Sequence, residues 1–176
     1  MNTRLRKQSM ELLAEIQDKA IEDASSLKIR HASRAVLFDE KGLIPLLFVS
    51  KHRYHKLPGG GVKEGEDKKE ALTREVFEEV GCEFIVTGEV GRIIEYRSKF
   101  NLYQTSYCYV GNVISKGTPS FTESELSDGF QLVWLSLDNA IAQVESERPT
   151  DYEGSFVQKR DIVFLKTARQ RIEAYQ

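Results

Sequence analysis

The 176-residue sequence predicts an α/β fold in which helices pack against a mixed β-sheet. Three observations carry that expectation. Short runs rich in Ile, Val, Tyr and Phe alternate with stretches of helical periodicity. Connections between neighbouring strands are of hairpin length. A glycine-rich segment, Pro58 to Gly65, leads straight into a strongly helical one. This order argues against a doubly wound parallel sheet, whose successive strands need long crossovers.

Taken in order, Arg4 to Ala24 reads as a helix, with Leu5, Leu12, Ile16 and Ala20 on one stripe and Leu13, Ile21 and Ala24 widening it. Ser25-Ser26 closes it. Residues 1–28 are therefore expected to be an N-terminal helical extension, and 29–176 the main domain, undivided by any linker, repeat or low-complexity tract. The apolar stripe needs a cover, supplied either by its own domain or by a second copy in a homodimer. Ala35–Phe38 and Leu46–Val49 read as a β-hairpin around the turn Asp39–Gly42. The glycine loop follows, then a helix from about Glu66 to Val80, stopped by Gly81. Phe84–Val86, Val90–Tyr96 and Tyr103–Ile114 are strand-like. Val133–Leu135 is a further strand, after which Ser136 caps a helix from Leu137 to about Glu145. A last helix starts near Phe156 and carries Ile162, Leu165, Ala168 and Ile172 at helical spacing.

Composition narrows the function classes. Lys plus Arg number 25 against 27 Asp plus Glu, a formal charge of −2, which leaves no basic footprint for nucleic acid. With 40% hydrophobic residues, 30% charged and 4 Pro, the chain is globular. Its longest apolar run, Leu43 to Val49, is too short to cross a bilayer. Glu11, Glu15 and Asp18 interrupt the first twenty residues, so no secretory signal is visible. Cys82 and Cys108 are too few for a disulfide scaffold. A reducing, cytoplasmic setting without membrane or nucleic-acid partners is the expectation.

The chemistry concentrates in Gly59-Gly60-Gly61-Val62-Lys63-Glu64-Gly65-Glu66 and its continuation to Cys82. Glu75, Glu78 and Glu79 stand at i, i+3 and i+4, so three carboxylates share one helical face, apart from the apolar stripe of Leu72, Val76 and Val80. Like charges at these spacings repel, so removing one should not weaken the metal-free protein. Oxygen-rich clusters suit Mg²⁺ or Mn²⁺. Glycines ahead of the helix let backbone approach a ligand closely. The plain alternative is a solvated helix face. Against it stands the spacing of the whole segment, which is similar to the Nudix box, G-x5-E-x7-R-E-U-x-E-E-x-G-U, from Gly60 to Cys82. Gly60, Glu66, Arg74, Glu75, Val76, Glu78, Glu79 and Gly81 fall in place, and chance would supply such a match on the order of once in 10⁷ chains. Cys82 takes the final apolar position, where a buried thiol serves. Leu57-Pro58-Gly59-Gly60 resembles the usual lead-in, and Trp134 to Asp138 the late strand-to-helix segment.

The Nudix resemblance implies an α/β/α sandwich and divalent metal, Mg²⁺ or Mn²⁺. It also implies a small-molecule nucleotide substrate, a nucleoside diphosphate linked to another group and cut at a phosphoanhydride. It implies that Glu75, Glu78 and Glu79 are catalytic metal ligands, with the Gly59 carbonyl as a further ligand and Glu75 orienting or deprotonating the attacking water. Glu66 and Arg74 would brace loop against helix. One further metal acid would come from the polar loop holding Glu123 and Glu125, a charged surface loop being the alternative. Lys51, Arg53 and Lys56, just ahead of the glycines, are candidates for substrate phosphates, a solvated strand end being the alternative. His52 and His55 lack partners for a zinc site. The absence of proline between Gly81 and Pro119 leans the substrate toward nucleoside triphosphates. The competing reading is a nucleotide sensor on the same fold that binds without turnover.

Overall fold

The computed structural model describes residues 9–174. Its layers follow from the alternation along strand β2 (Lys28–Phe38). Val36 points into one apolar cluster, shared with Ala140, Ile141, Val144, Phe164 and Leu165. Ala35 and Leu37 point the other way, against Leu72, Val76 and Val80. Those residues belong to helices α1 (Lys68–Val80) on one face, and α3 (Leu137–Ser146) and α4 (Tyr152–Glu173) on the other. Helices thus cover both faces of the strand layer. The α/β class read from the sequence holds.

The remaining elements are β1 (Leu12–Gln17), β3 (Leu43–Val49), β4 (Tyr54–Lys56), β5 (Gly59–Gly61), β6 (Cys82–Arg97), β7 (Leu102–Lys116), the short helix α2 (Glu123–Ser127) and β8 (Phe130–Ser136). They form a five-stranded sheet in the order β1-β6-β7-β2-β5 and a three-stranded one in the order β4-β3-β8. The larger sheet is mixed: β1 runs parallel to β6 and β2 parallel to β7, while β6–β7 and β2–β5 are antiparallel.

Three expectations are corrected. The N-terminal helix is not formed over Leu12–Gln17, which is strand; residues 1–8 lie outside the described residues, and only the single 3₁₀ turn Ala24–Ser26 lies between β1 and β2. Helical spacing put Leu12 and Ile16 on one stripe, yet Leu12 is exposed while Leu13, Ala14 and Ile16 pack on the core. The open edge of β6 decides the matter, because its backbone groups need a partner and β1 supplies one. Arg92 reinforces the join, its Nε donating to the Met10 carbonyl at 2.9 Å. The proposed hairpin is also not formed. Asp39 and Gly42 make the turn, but β2 and β3 enter different sheets, because β2 finds β7 and β5, and β3 finds β8 and β4. Lastly, the glycine segment is not wholly loop, since Gly59–Gly61 pairs with Ala32–Arg34 as an edge strand.

Gly91 shows how β1 is seated. It has φ +148°, and a Cβ there would come within 2.5 Å of Leu13 Cγ. Gly91→Ala should therefore cost about 1–3 kcal/mol of unfolding free energy, combining backbone strain with displacement of Leu13. Chemical denaturation followed by circular dichroism measures it; an unchanged midpoint would show that β1 is not docked there.

Candidate active site

Helix α1 begins at a capping box, in which Asp67 accepts from the Lys69 and Glu70 amides and Glu70 returns a bond to the Asp67 amide. It ends at Gly81, whose left-handed φ of 72° fits glycine and whose missing Cβ leaves room for the Thr118 backbone. Leu72, Val76 and Val80 anchor it to the sheet. That anchoring turns Glu75 toward β5, where any Cβ on Gly60 would collide with the Glu75 carboxylate. Only glycine at this position lets the helix and the edge strand approach so closely.

Arg74 ties the segment together. Its Nε and Nη2 donate to the two oxygens of Glu66 at 2.7 and 3.0 Å, its Nη1 to Glu75 at 2.7 Å, and Nη2 also reaches the Gly61 carbonyl at 3.1 Å. Glu78 lies 3.7 Å from the same Nη1. The Arg74 hydrogen bonds, helped by the Lys63 amide, hold the Glu66 carboxyl down at about 2 against an ordinary 4.5. Stability from this pair is therefore present above the ordinary value and lost as the pH falls through 2.

Glu79 lies deeper than Glu75 and Glu78. Its side chain is 1% exposed; Lys56 Nζ donates to one oxygen at 2.7 Å and the Gly59 amide to the other at 2.8 Å. Burial raises its pKa, with Lys56 and the Gly59 amide pulling the other way. A raised pKa means that ionising Glu79 opposes folding as the pH climbs past the ordinary carboxylate range. Among the described residues, no group of three or more His, Cys, Asp or Glu side chains is arranged to hold a metal ion. Glu79 is drawn into the protein by Lys56 and the glycine strand. Glu75 and Glu78, half-buried and sharing one guanidinium nitrogen, still offer hard oxygen donors side by side. That pair fits Mg²⁺, which takes one or two carboxylates and fills its remaining positions with water and phosphate.

Other candidates lie apart. Lys51 is exposed and paired with Asp128 at 2.8 Å, and Arg53 sits exposed in the turn after β3 with φ 61°. Neither shares an ion pair with the box. Glu123 and Glu125 are in helix α2 rather than in a loop, and Glu125 is occupied by capping Thr122. Sequence reasoning missed a buried polar network on the α4 side. Asp161, fully buried, accepts the Leu57 amide at 2.8 Å and Arg160 Nε at 2.7 Å. His55, set aside as a zinc ligand, pairs with buried Glu147. A concavity of about 880 Å³ is lined by Lys69, Thr73, Arg74, Phe77, Phe84 and Ile114 among others and includes none of Glu75, Glu78 or Glu79.

Comparison with known proteins gives a consistent picture. A family model described as the NUDIX domain matches residues 28–155. The chain is 30% identical over 112 residues to diphosphoinositol polyphosphate phosphohydrolase 3-beta of Bos taurus, covering 61% of this chain and 65% of that protein. It is 30% identical over 111 residues to diphosphoinositol polyphosphate phosphohydrolase 2 of Rattus norvegicus, covering 61% and 59%. The match thus spans a little under two thirds of these relatives. A NUDIX hydrolase from Nitrosomonas europaea superposes with TM-score 0.59 at 18% identity, over 81% of this chain and 90% of that one. A MutT protein from Methanosarcina mazei Go1 gives 0.56 at 19%, over 83% and 97%. These two share its fold.

The geometry separates two of the glutamates by stability. Lys56→Ala, which leaves the buried Glu79 carboxylate without its cation, should cost about 3 kcal/mol in metal-free protein. Glu78→Gln, at a side chain 40% exposed, should stay within about 0.5 kcal/mol. Urea denaturation at neutral pH in chelator measures both, and equal midpoints would refute the difference.

Proposed function

Because the chain belongs to the NUDIX domain family, we propose that it is a Mg²⁺- or Mn²⁺-dependent pyrophosphohydrolase whose chemistry is centred on Glu75 and Glu78. The observation that supports this most is the placement of Glu75, pressed against Gly60 at the sheet edge and held by the same Arg74 that clamps Glu66 and reaches Glu78. A pure binding module has no need to keep two half-buried carboxylates on one guanidinium beside a bare glycine backbone.

Glu75 and Glu78 would hold the metal. When bound, a divalent ion offsets the charge of a phosphoanhydride and makes a coordinated water more acidic. Glu75 orients the attacking water and takes its proton; Arg74 fixes the direction of the Glu75 carboxylate. Glu79 is a positioning residue, fastening the Gly59 amide, and with it the strand whose backbone passes over Glu75. Lys56 keeps Glu79 in that role. The substrate is a phosphoanhydride on a small molecule. Nucleoside triphosphates and other nucleoside diphosphate derivatives form one class. The names of the relatives add a second, a diphosphate carried on a phosphorylated polyol.

A panel of nucleoside triphosphates, dinucleoside polyphosphates, nucleotide sugars and diphosphoinositol polyphosphates, scored for phosphate release, tests the proposal. Hydrolysis of at least one should require Mg²⁺ or Mn²⁺, stop with chelator and rise on the alkaline side of neutrality. Glu75→Gln and Glu78→Gln should each lower kcat by about 100-fold or more. Near-normal turnover in both variants at saturating Mg²⁺ would sink the assignment.

A further inference from the structure

Arg30 stands on β2 beside the glycine strand. A Cβ on Gly61 would lie 3.0 Å from its Nη2 and 3.2 Å from its Nε, so the guanidinium lies along bare backbone. Gly60 and Gly61 alternate, the first facing Glu75 and the second facing Arg30. The edge of the sheet thus carries the proposed catalytic carboxylate on one side and a cation on the other.

What fixes that cation is a chain of buried groups. Glu95 is fully buried and, ionised, can only accept. Burial pushes its carboxyl up, but Arg160 and Arg97 outweigh burial and hold it below the ordinary value. Gln104 must therefore turn its amide nitrogen to Glu95 (2.9 Å) and to Ser106 (3.0 Å). Its amide oxygen is left facing outward, where Arg30 Nη1 donates to it at 3.1 Å. Arg30 spends one N–H on a neutral oxygen and, among the described residues, forms no ion pair with a carboxylate. The surroundings are short of acceptors. Arg34 Nε and Nη1, Arg97 Nε, and Arg160 Nη1 and Nη2 are buried with no hydrogen-bond partner. A pre-oriented guanidinium fork with a single neutral acceptor, beside buried arginines whose N–H groups are short of acceptors, suits an oxyanion.

We propose that Arg30 binds a second phosphate of the substrate, across the glycine strand from Glu75, and that Glu95 and Gln104 aim it. This rests on reading the chain as a phosphoanhydride hydrolase, and it gives that reading a substrate requirement. The molecule must carry an anionic phosphate beyond the one attacked, so phosphate monoesters are disfavoured.

Titration of inorganic tripolyphosphate into the protein, calorimetrically and in chelator, separates the two claims, since no metal or turnover is involved. Arg30→Ala should weaken binding about tenfold or more, and Arg30→Lys should recover part of the loss, keeping charge without the fork. Lys28→Ala removes the same charge two residues away on the same strand and should leave affinity within about twofold. The proposal is overturned if wild type binds no tripolyphosphate, if Arg30→Ala binds as wild type does, or if Lys28→Ala loses as much. Should Arg30→Ala lose tripolyphosphate while no phosphoanhydride in the panel is hydrolysed, the hydrolase reading falls and the anion site stands. Should hydrolysis depend on Glu75 while Arg30→Ala binds normally, the reverse holds.

Discussion

A carboxylate taken out of water organises the region around the box. Glu79 is buried on the helix that also carries the proposed catalytic glutamates, and a buried ionised group survives only with compensating partners. It finds a cation in Lys56 and a backbone donor in Gly59. These two partners bracket the segment from the end of β4 to the start of β5, so satisfying Glu79 also fixes where that segment runs. The glycine strand is placed by charge as much as by its three-residue ladder with β2. Gly60 then sits where its missing side chain leaves space for Glu75.

The same segment is held from the opposite layer. Asp161 on α4 binds the Leu57 amide, two residues before Gly59. Arg160 links Asp161 to Glu95, 3.6 Å from its Nη1, and Glu95 leads through Gln104 to Arg30. Burial pulls the Arg160 guanidinium down, but Asp161 and Glu95 more than reverse that and keep it charged. Replacing such a network with apolar residues can leave a protein equally stable, so its presence is better explained by orientation than by stability. Its two ends touch the backbone leading into the box and a cation beside it.

Much of this was legible beforehand, and the failures have identifiable causes. The box spacing located α1, its cap at Gly81 and the Arg74 clamp, because those depend on local periodicity and turn chemistry. The N-terminal helix failed because propensity and spacing were outweighed by the demand of β6 for a strand partner. The hairpin failed because a good turn does not choose which sheet each arm enters. The buried network leaves its own traces in the sequence. Arg160 and Asp161 lie at four-residue spacing from Phe156, Phe164, Val157 and Leu165, squarely on the apolar stripe of α4. Glu95 and Arg97 alternate with Ile93 on the core face of β6. Charged residues at core positions predict a buried polar site, though not which partners meet there.

The three glutamates show why such partners matter. Spacing alone makes Glu75, Glu78 and Glu79 a repelling cluster, each pair costing on the order of a few tenths of a kcal/mol. Folded, the cluster is divided between two cations. Arg74 serves Glu75 and Glu78, half-buried at the sheet edge with Glu78 the more open to water. Lys56 serves Glu79 inside, where rearrangement would leave a charge uncompensated. In the proposed reaction the outer pair would exchange its guanidinium contact for a divalent cation, while the inner one keeps its place. On that reading one helix face carries both the part that yields to a ligand and the part that stays fixed when it arrives.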